Sequence, residues 1–284
     1  MALTRRGLLA GVAALAGAPR PVLARPYDDV IKTGTISFAV YAENQPWSWR
    51  EGAEPKGIDV EIGLGIAEGL GVTPSFLVRQ AGEKVDDDLR VNVWRGDIVE
   101  RIVADVMLHV PYDRVLETNA EARAVLFNPY FGEEIAVVYD TAVLPEVSTF
   151  ARFVYKPIAV EVDTVSDFFL SNAFGGRLHP SIRRGRILVE AVQLFIDGEA
   201  PAFMGTRAQC EWAAKLAGSR TTAIAQPPMP GIVRTSWPIA MAVKEDSRDL
   251  GYAIGDIVEA MRAQGKLDEI CARHGVTYRM PDLA

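Results

Sequence analysis

Residues 104–114, Ala-Asp-Val-Met-Leu-His-Val-Pro-Tyr-Asp-Arg, constrain this chain more than any other stretch. An apolar run of strand length reaches His109-Val110-Pro111, and the proline ends it because it has no amide hydrogen for a ladder. Arg114 is therefore expected on a loop or the first turn of a helix, just past the carboxyl end of a strand. Open α/β sheets bind ligands there. A guanidinium in that place offers a rigid fork of donors suited to a carboxylate or a phosphate. The competing local reading is a surface arginine paired with Asp113 or with a helix end. Phe127-Asn-Pro-Tyr-Phe131 closes the stretch.

A chain of 284 residues has room for two lobes. Its apolar share of 49% and charged share of 24% are those of an ordinary globular protein, which excludes disordered and fibrous classes. The first residues read as an export signal over 1–24: Arg5 and Arg6 precede an apolar run to Gly17, and Val22-Leu23-Ala24 offers a cleavage site. The paired arginines lean towards the twin-arginine route. The apolar run is shorter than the roughly 20 residues a membrane span needs, and Pro19 and Pro21 interrupt its end. The expected location is the periplasm, with the chain soluble and not inserted in a membrane. Removing 1–24 takes away three arginines and no acid, so the formal charge moves from −7 to −10. That balance excludes nucleic acid and anionic membrane as partners.

Cys210 and Cys271 either meet in a disulfide or lie apart as two buried thiols, and their separation in sequence does not decide between these. His109, His179 and His274 have spacings that fit no metal motif. No nucleophile elbow, phosphate loop or dinucleotide fingerprint is present, so neither an enzyme nor a cofactor is expected. His109 stands beside the expected ligand site, where a packed or hydrogen-bonded role competes with one in binding or proton transfer.

Taken in order, residues 35–40 alternate as a first strand and lead to the tryptophans Trp47 and Trp49, which must pack or meet a ligand. Asp59 is placed to cap a helix with an apolar face that Gly71 ends. Residues 73–78 form a second strand. Asp86, Asp87 and Asp88 open a helix, and their consecutive side chains diverge too far to hold one cation. Residues 134–139 form a strand that carries the chain out of the first lobe. A second α/β unit follows: a strand over 157–162, Thr164 as a helix cap, a helix over 165–173, and an irregular basic connection to residue 185. A helix runs through 190–196, and a short strand over 200–204 contains Pro201, which marks it as an edge or irregular strand. A helix over 207–217, a return strand over 237–243 and helices over 250–264 and 266–273 complete the chain.

The aromatic turn Pro46-Trp-Ser-Trp49, then Gly57-Ile-Asp-Val-Glu-Ile62, Ala104-Asp-Val106, Arg114 and Phe127–Phe131 resemble lobe one of the periplasmic solute-binding proteins of family 3, the polar amino-acid receptor group. Ala242-Val-Lys-Glu-Asp246, Met261-Arg-Ala-Gln-Gly-Lys-Leu-Asp-Glu-Ile270 and His274-Gly275 match that family's closing strand and helices. The resemblance implies an α/β, two-lobed type II periplasmic-binding-protein fold with a two-strand hinge. Lobe one would be 25–138 plus 239–284, and lobe two 139–238. It implies that Arg114 clamps a ligand carboxylate, that Thr164 donates to the same group and that Trp47 or Trp49 flanks the ligand. His109, Tyr112 and Thr206 complete the expected binding set. The implied partners are a small-molecule ligand and an ABC importer permease.

Three departures from the family shape the expected ligand. The connection from the strand to Arg114 is shortened to His109-Val-Pro-Tyr-Asp113, and Asp163 replaces the glycine usual before the lobe-two threonine. The acid that would pair a ligand ammonium falls near Gly205 or Thr206, and neither is charged. A zwitterion would then lose its hydration without a counter-ion, at a cost of several kcal/mol. The expected solute is therefore a small organic one, anionic or apolar, and not a standard amino acid. Residues 106–118 are also similar to a divergent branch that accompanies periplasmic quinoprotein methanol dehydrogenases. That branch implies an accessory role beside the dehydrogenase or its cytochrome, with no transport function.

Overall fold

The computed structural model describes residues 24–99, 101–120 and 122–282. The expected export signal, Ala24 apart, lies outside the described residues. Helix α1 (Tyr27–Thr33) leads into β1 (Thr35–Tyr41), and a small antiparallel sheet follows from β2 (Glu43–Asn44), β3 (Ser48–Glu51) and β4 (Glu54–Lys56). Next come α2 (Ile58–Leu70), β5 (Thr73–Arg79), α3 (Val85–Leu89), β6 (Val106–Pro111), α4 (Arg114–Ala120) and the long strand β7 (Ala124–Asp140). The second half runs through β8 (Ile158–Glu161), α5 (Val165–Asn172), β9 (Ile182–Gly185), α6 (Leu188–Ile196), β10 (Ala202–Thr206), α7 (Arg207–Leu216) and β11 (Thr222–Ala225). Strand β12 (Ser236–Lys244) and helices α8 (Arg248–Ala263) and α9 (Lys266–Arg273) end it.

The large sheet has the order β5-β1-β6-β12-β7-β10-β8-β9, with β11 pairing β7 as well. β1 is parallel to β5 and β6, and β8 is parallel to β9 and β10, as alternating strands and helices require. β7 joins the halves. Its start pairs β12, from Lys244 opposite Ala124 to Ser236 opposite Glu134, and its end pairs β10 and β11. Two antiparallel strands thus carry the chain from one half to the other and back.

Side-chain alternation distributes the core over both faces of each half. Ile36, Phe38 and Val40 of β1 pack towards α2, α8 and α9, whereas Ala39 packs with Leu89 and Val93 on the other face. In β7, Ile135, Val137 and Tyr139 join the layer containing Phe169 and Leu170, while Ala136 and Val138 join that of Val192 and Phe195.

Four readings of the sequence change. The strand expected at 134–139 starts ten residues earlier, because Phe127–Phe131 lies inside β7. Pro129 is accommodated at a register shift opposite β12, beside Asn128 at φ 43°, where a missing amide hydrogen breaks no regular pair. β10 is an interior strand between β7 and β8, since Pro201 precedes it and costs the ladder nothing. The basic connection before residue 185 ends in β9, which is the true edge. Asp59 caps nothing: the N-cap of α2 is Gly57, and the Asp59 carboxylate is buried in a side-chain network. Cys210 and Cys271 are separate buried thiols, and burial pushes each up to about 12.

Candidate functional site

The carboxyl ends of β6 and the crossing strands meet in one polar cluster. His109, near the end of β6, adopts φ 62°, and its backbone N–H donates to the Tyr130 hydroxyl at 3.1 Å. That hydroxyl donates to Asp59 Oδ1 at 2.6 Å. His109 Nδ1 stands 3.1 Å from Asp59 Oδ2, within ion-pair range but without hydrogen-bond alignment. Trp47 packs over this group, its ring 4.8 Å from His109 and 4.7 Å from Phe131. It is held by backbone bonds from Ile58 N to Pro46 O and from Asp59 N to Trp47 O. A side chain at Gly57 would meet Trp47 O at 2.2 Å with φ at +123°, so only glycine allows the tryptophan turn to seat on α2.

Glu133 lies where β7 crosses between the halves and is 2% exposed. Its Oε1 accepts from Glu134 N at 3.0 Å and Ala208 N at 3.3 Å, and the Thr206 hydroxyl bonds to the same carboxyl. Burial nonetheless pushes Glu133 up to about 6, against these donors and the nearby His109. Its second oxygen, Oε2, has no partner among the described residues.

Glu133 also lines an open groove of about 670 Å³, together with Tyr112, Arg114, Arg234, Trp237 and Arg279. Arg114 is the first residue of α4 and is exposed; its carbonyl accepts from the Thr118 hydroxyl at 2.8 Å, and its guanidinium makes no hydrogen bond or ion pair with the described residues. The surface pairing with Asp113 does not form. Asp113 instead accepts from Val115 N (2.8 Å) and Leu116 N (3.2 Å) and from Arg234 (2.6 Å), and these bonds hold it below the usual carboxylate range. Arg207 and Arg279 both engage Glu134.

Of the expected residues, Tyr112 and Arg114 line the groove, buried Trp47 and His109 belong to the Asp59 cluster, and Thr206 reaches the groove only through Glu133. Thr206 is also the N-cap of α7 in a capping box with Gln209. Two expected residues stand elsewhere. Thr164 caps α5, its hydroxyl donating to Glu161 O at 2.8 Å and accepting from Asp167 N at 3.2 Å. Trp49 sits half-buried in β3 with its ring edge on His274 at 5.8 Å. The expectation of no acid near Thr206 is corrected: the acid comes from the crossing strand rather than from the Gly205-Thr206 turn. Sequence reading missed Glu133, Asp59 and Tyr130, because nothing local distinguishes a strand glutamate or a helix-start aspartate that folding brings to one point.

A second, smaller pocket of about 210 Å³ separates the loop after β1 from the start of α6, with Glu43, Gln45, Arg50 and Leu188 among its lining residues. Glu161 accepts from Leu188 N at this seam, and burial, reinforced by Glu43, pushes it up to about 7. Among the described residues no group of three or more His, Cys, Asp or Glu side chains could hold a metal ion, and no helix is long and apolar enough to cross a membrane.

No protein-family model and no curated protein matches the sequence. Solved structures do match. An ancestral cationic amino-acid solute-binding protein aligns with TM-score 0.67 and 17% identity, over 88% of this chain and 99% of that one. A Streptococcus pneumoniae amino-acid ABC transporter substrate-binding protein bound to L-arginine gives 0.62 and 15%, over 89% and 99%. The GluR0 ligand-binding core in complex with L-glutamate gives 0.59 and 15%, over 85% and 98%. The fold is the two-lobed periplasmic-binding-protein fold of these neighbours, which are binding proteins.

Proposed function

We propose that the chain is a periplasmic solute-binding protein that closes over a small organic anion held by Arg114. The observation that carries the reading is an exposed arginine with no acid partner among the described residues, lining a groove at the crossing strands of a fold whose neighbours bind solutes. The groove carries Arg114, Arg234 and Arg279 beside Asp113, Glu133, Glu134 and Asp282; Arg234 pairs with Asp113 and Arg279 with Glu134, and the exposed Arg114 fork is the group offered to a carboxylate or phosphate. Glu133 supplies an acceptor for the opposite end of the solute. With that carboxyl present, the physical ground for excluding amino acids falls away, and they belong among the candidates.

We take lobe one as 25–138 plus 239–284 and lobe two as 139–238, joined by β7 and β12; residues 135–138 pack with the second half, and the hinge motion runs about those two strands. An importer permease is the partner this role implies. The test is a thermal-shift and native mass-spectrometry screen of protein purified from its own periplasm against carboxylates, phosphates and amino acids. A ligand whose binding is lost in Arg114→Ala supports the reading. Retained affinity removes Arg114 from the clamp. No affinity for any compound, with recovery of a quinoprotein dehydrogenase or its cytochrome in pull-downs, replaces transport with the accessory role.

A further inference from the structure

The carboxylate at the amino-terminal end of β6 is unusually well supplied with donors from one residue. Asp105 is 0% exposed. Its Oδ1 accepts from the backbone nitrogen of Arg25 at 3.1 Å and from Arg25 Nε at 3.0 Å, and its Oδ2 accepts from Arg25 Nη2 at 2.6 Å. Ser37 adds its backbone N–H and its hydroxyl, each at 2.8 Å from Oδ2. The rest of the guanidinium is tied down as well, through Nη1 to Thr33 Oγ1 at 2.7 Å and Nη2 to Thr35 O at 2.9 Å. Arg25 is therefore anchored by backbone and side chain together, at the residue that follows the expected cleavage site Val22-Leu23-Ala24.

We infer that proteolytic processing between Ala24 and Arg25 turns the Arg25 nitrogen into an α-ammonium that forms an ion pair with buried Asp105, so that maturation adds a stabilising contact at the foot of β1 and β6. Peptide-bond hydrolysis consumes one water, leaves the carboxylate on Ala24 and frees the amine of Arg25, which takes up a proton at neutral pH. The nitrogen stays in place while its character changes from an amide donor to a charged one, and charge-assisted bonds are about twice as strong as neutral ones. Asp105 is the buried acid that faces it. Asp29 in α1, whose charge acts on Arg25, and Asp249 in α8, which accepts from Tyr27 N at 3.3 Å, also face this end of the chain, as does the Arg25 guanidinium on the same Asp105 carboxylate. The guanidinium opposes a second positive charge, and the three acids outnumber it, so the balance favours the ammonium form.

The sign of the pH dependence follows. An α-amino group ordinarily titrates near ~8, and pairing with Asp105 raises that value in the folded state. The added stability is present below ~8 and is lost as pH rises through the folded value.

The experiment has two readouts. The full chain is expressed in a host that exports it, and the product is measured by intact mass and amino-terminal sequencing. The expected product is residues 25–284 beginning at Arg25; a start at any other residue, or no processing, overturns the inference. The melting temperature of that product is then compared with the same chain bearing one extra alanine before Arg25, a change that leaves every side chain intact. The expected result is a melting temperature ~2–4 °C lower for the extended chain at neutral pH. That gap should close at alkaline pH. Equal melting temperatures at neutral pH, or a gap independent of pH, overturn the ion pair. Asp105→Asn should abolish the gap; a gap that persists in this variant overturns the assignment of Asp105.

Discussion

Arg114 and Asp113 are neighbours with opposite fates. Asp113 is fully committed to the first turn of α4 and to Arg234, which leaves the Arg114 guanidinium lining the groove with no ion pair among the described residues. Loss of a charge-assisted bond costs on the order of 1.5–3 kcal/mol, so Arg114→Ala should weaken an anionic ligand by roughly tenfold to a hundredfold with little change in melting temperature. Glu161 makes a separate prediction about stability. Its folded value near 7 lies above the ordinary 4.5, so the folded protein holds a proton that the unfolded chain has released. Stability therefore falls as pH rises between about 4.5 and about 7, and Glu161→Gln should make the fall in urea midpoint shallower, leaving the part that Glu133 contributes up to about 6. If the variant and the parent show the same slope, the seam at Leu188 is not where the proton is held. The two thiols, pushed up to about 12 by burial, should resist a disulfide-exchange reagent in the native protein and react fully on unfolding. Arg114 was legible in the sequence because a proline-ended strand followed by Asp-Arg has few readings. Glu133 was not, since its burial depends on β10, α7 and β6 converging on β7 from distant parts of the chain.

The elements show the same division. Segments with a clear period, such as β1, α2, α8 and α9, were readable from alternation, helical spacing and terminal glycines. Strands interrupted by proline were not, because the effect of a missing amide hydrogen depends on where it falls in the ladder. Pro201 falls before its strand and Pro129 at a register shift, so both strands form despite them. The tryptophan turn is an element whose placement rests on one residue. Gly57→Ala would put a Cβ 2.2 Å from Trp47 O at a φ of +123°, and it should destabilise the protein by roughly 2–3 kcal/mol, read as a lower urea midpoint. An unchanged midpoint would mean that the turn repacks and that Trp47 is not locked over His109.

At the scale of the whole molecule, two sheet halves share β7 and β12, and the groove, Arg114 and the buried Glu133 all lie where those strands cross. Motion about that crossing would change the shape of the groove more than that of either core, which is the physical reason to read it as a closing site. Titration calorimetry of the protein and its Arg114→Ala variant, with whichever organic anion the screen retains, tests this most directly. The account predicts saturable one-to-one binding to the parent and at least a tenfold loss in the variant. Equal affinities in the two proteins would contradict it.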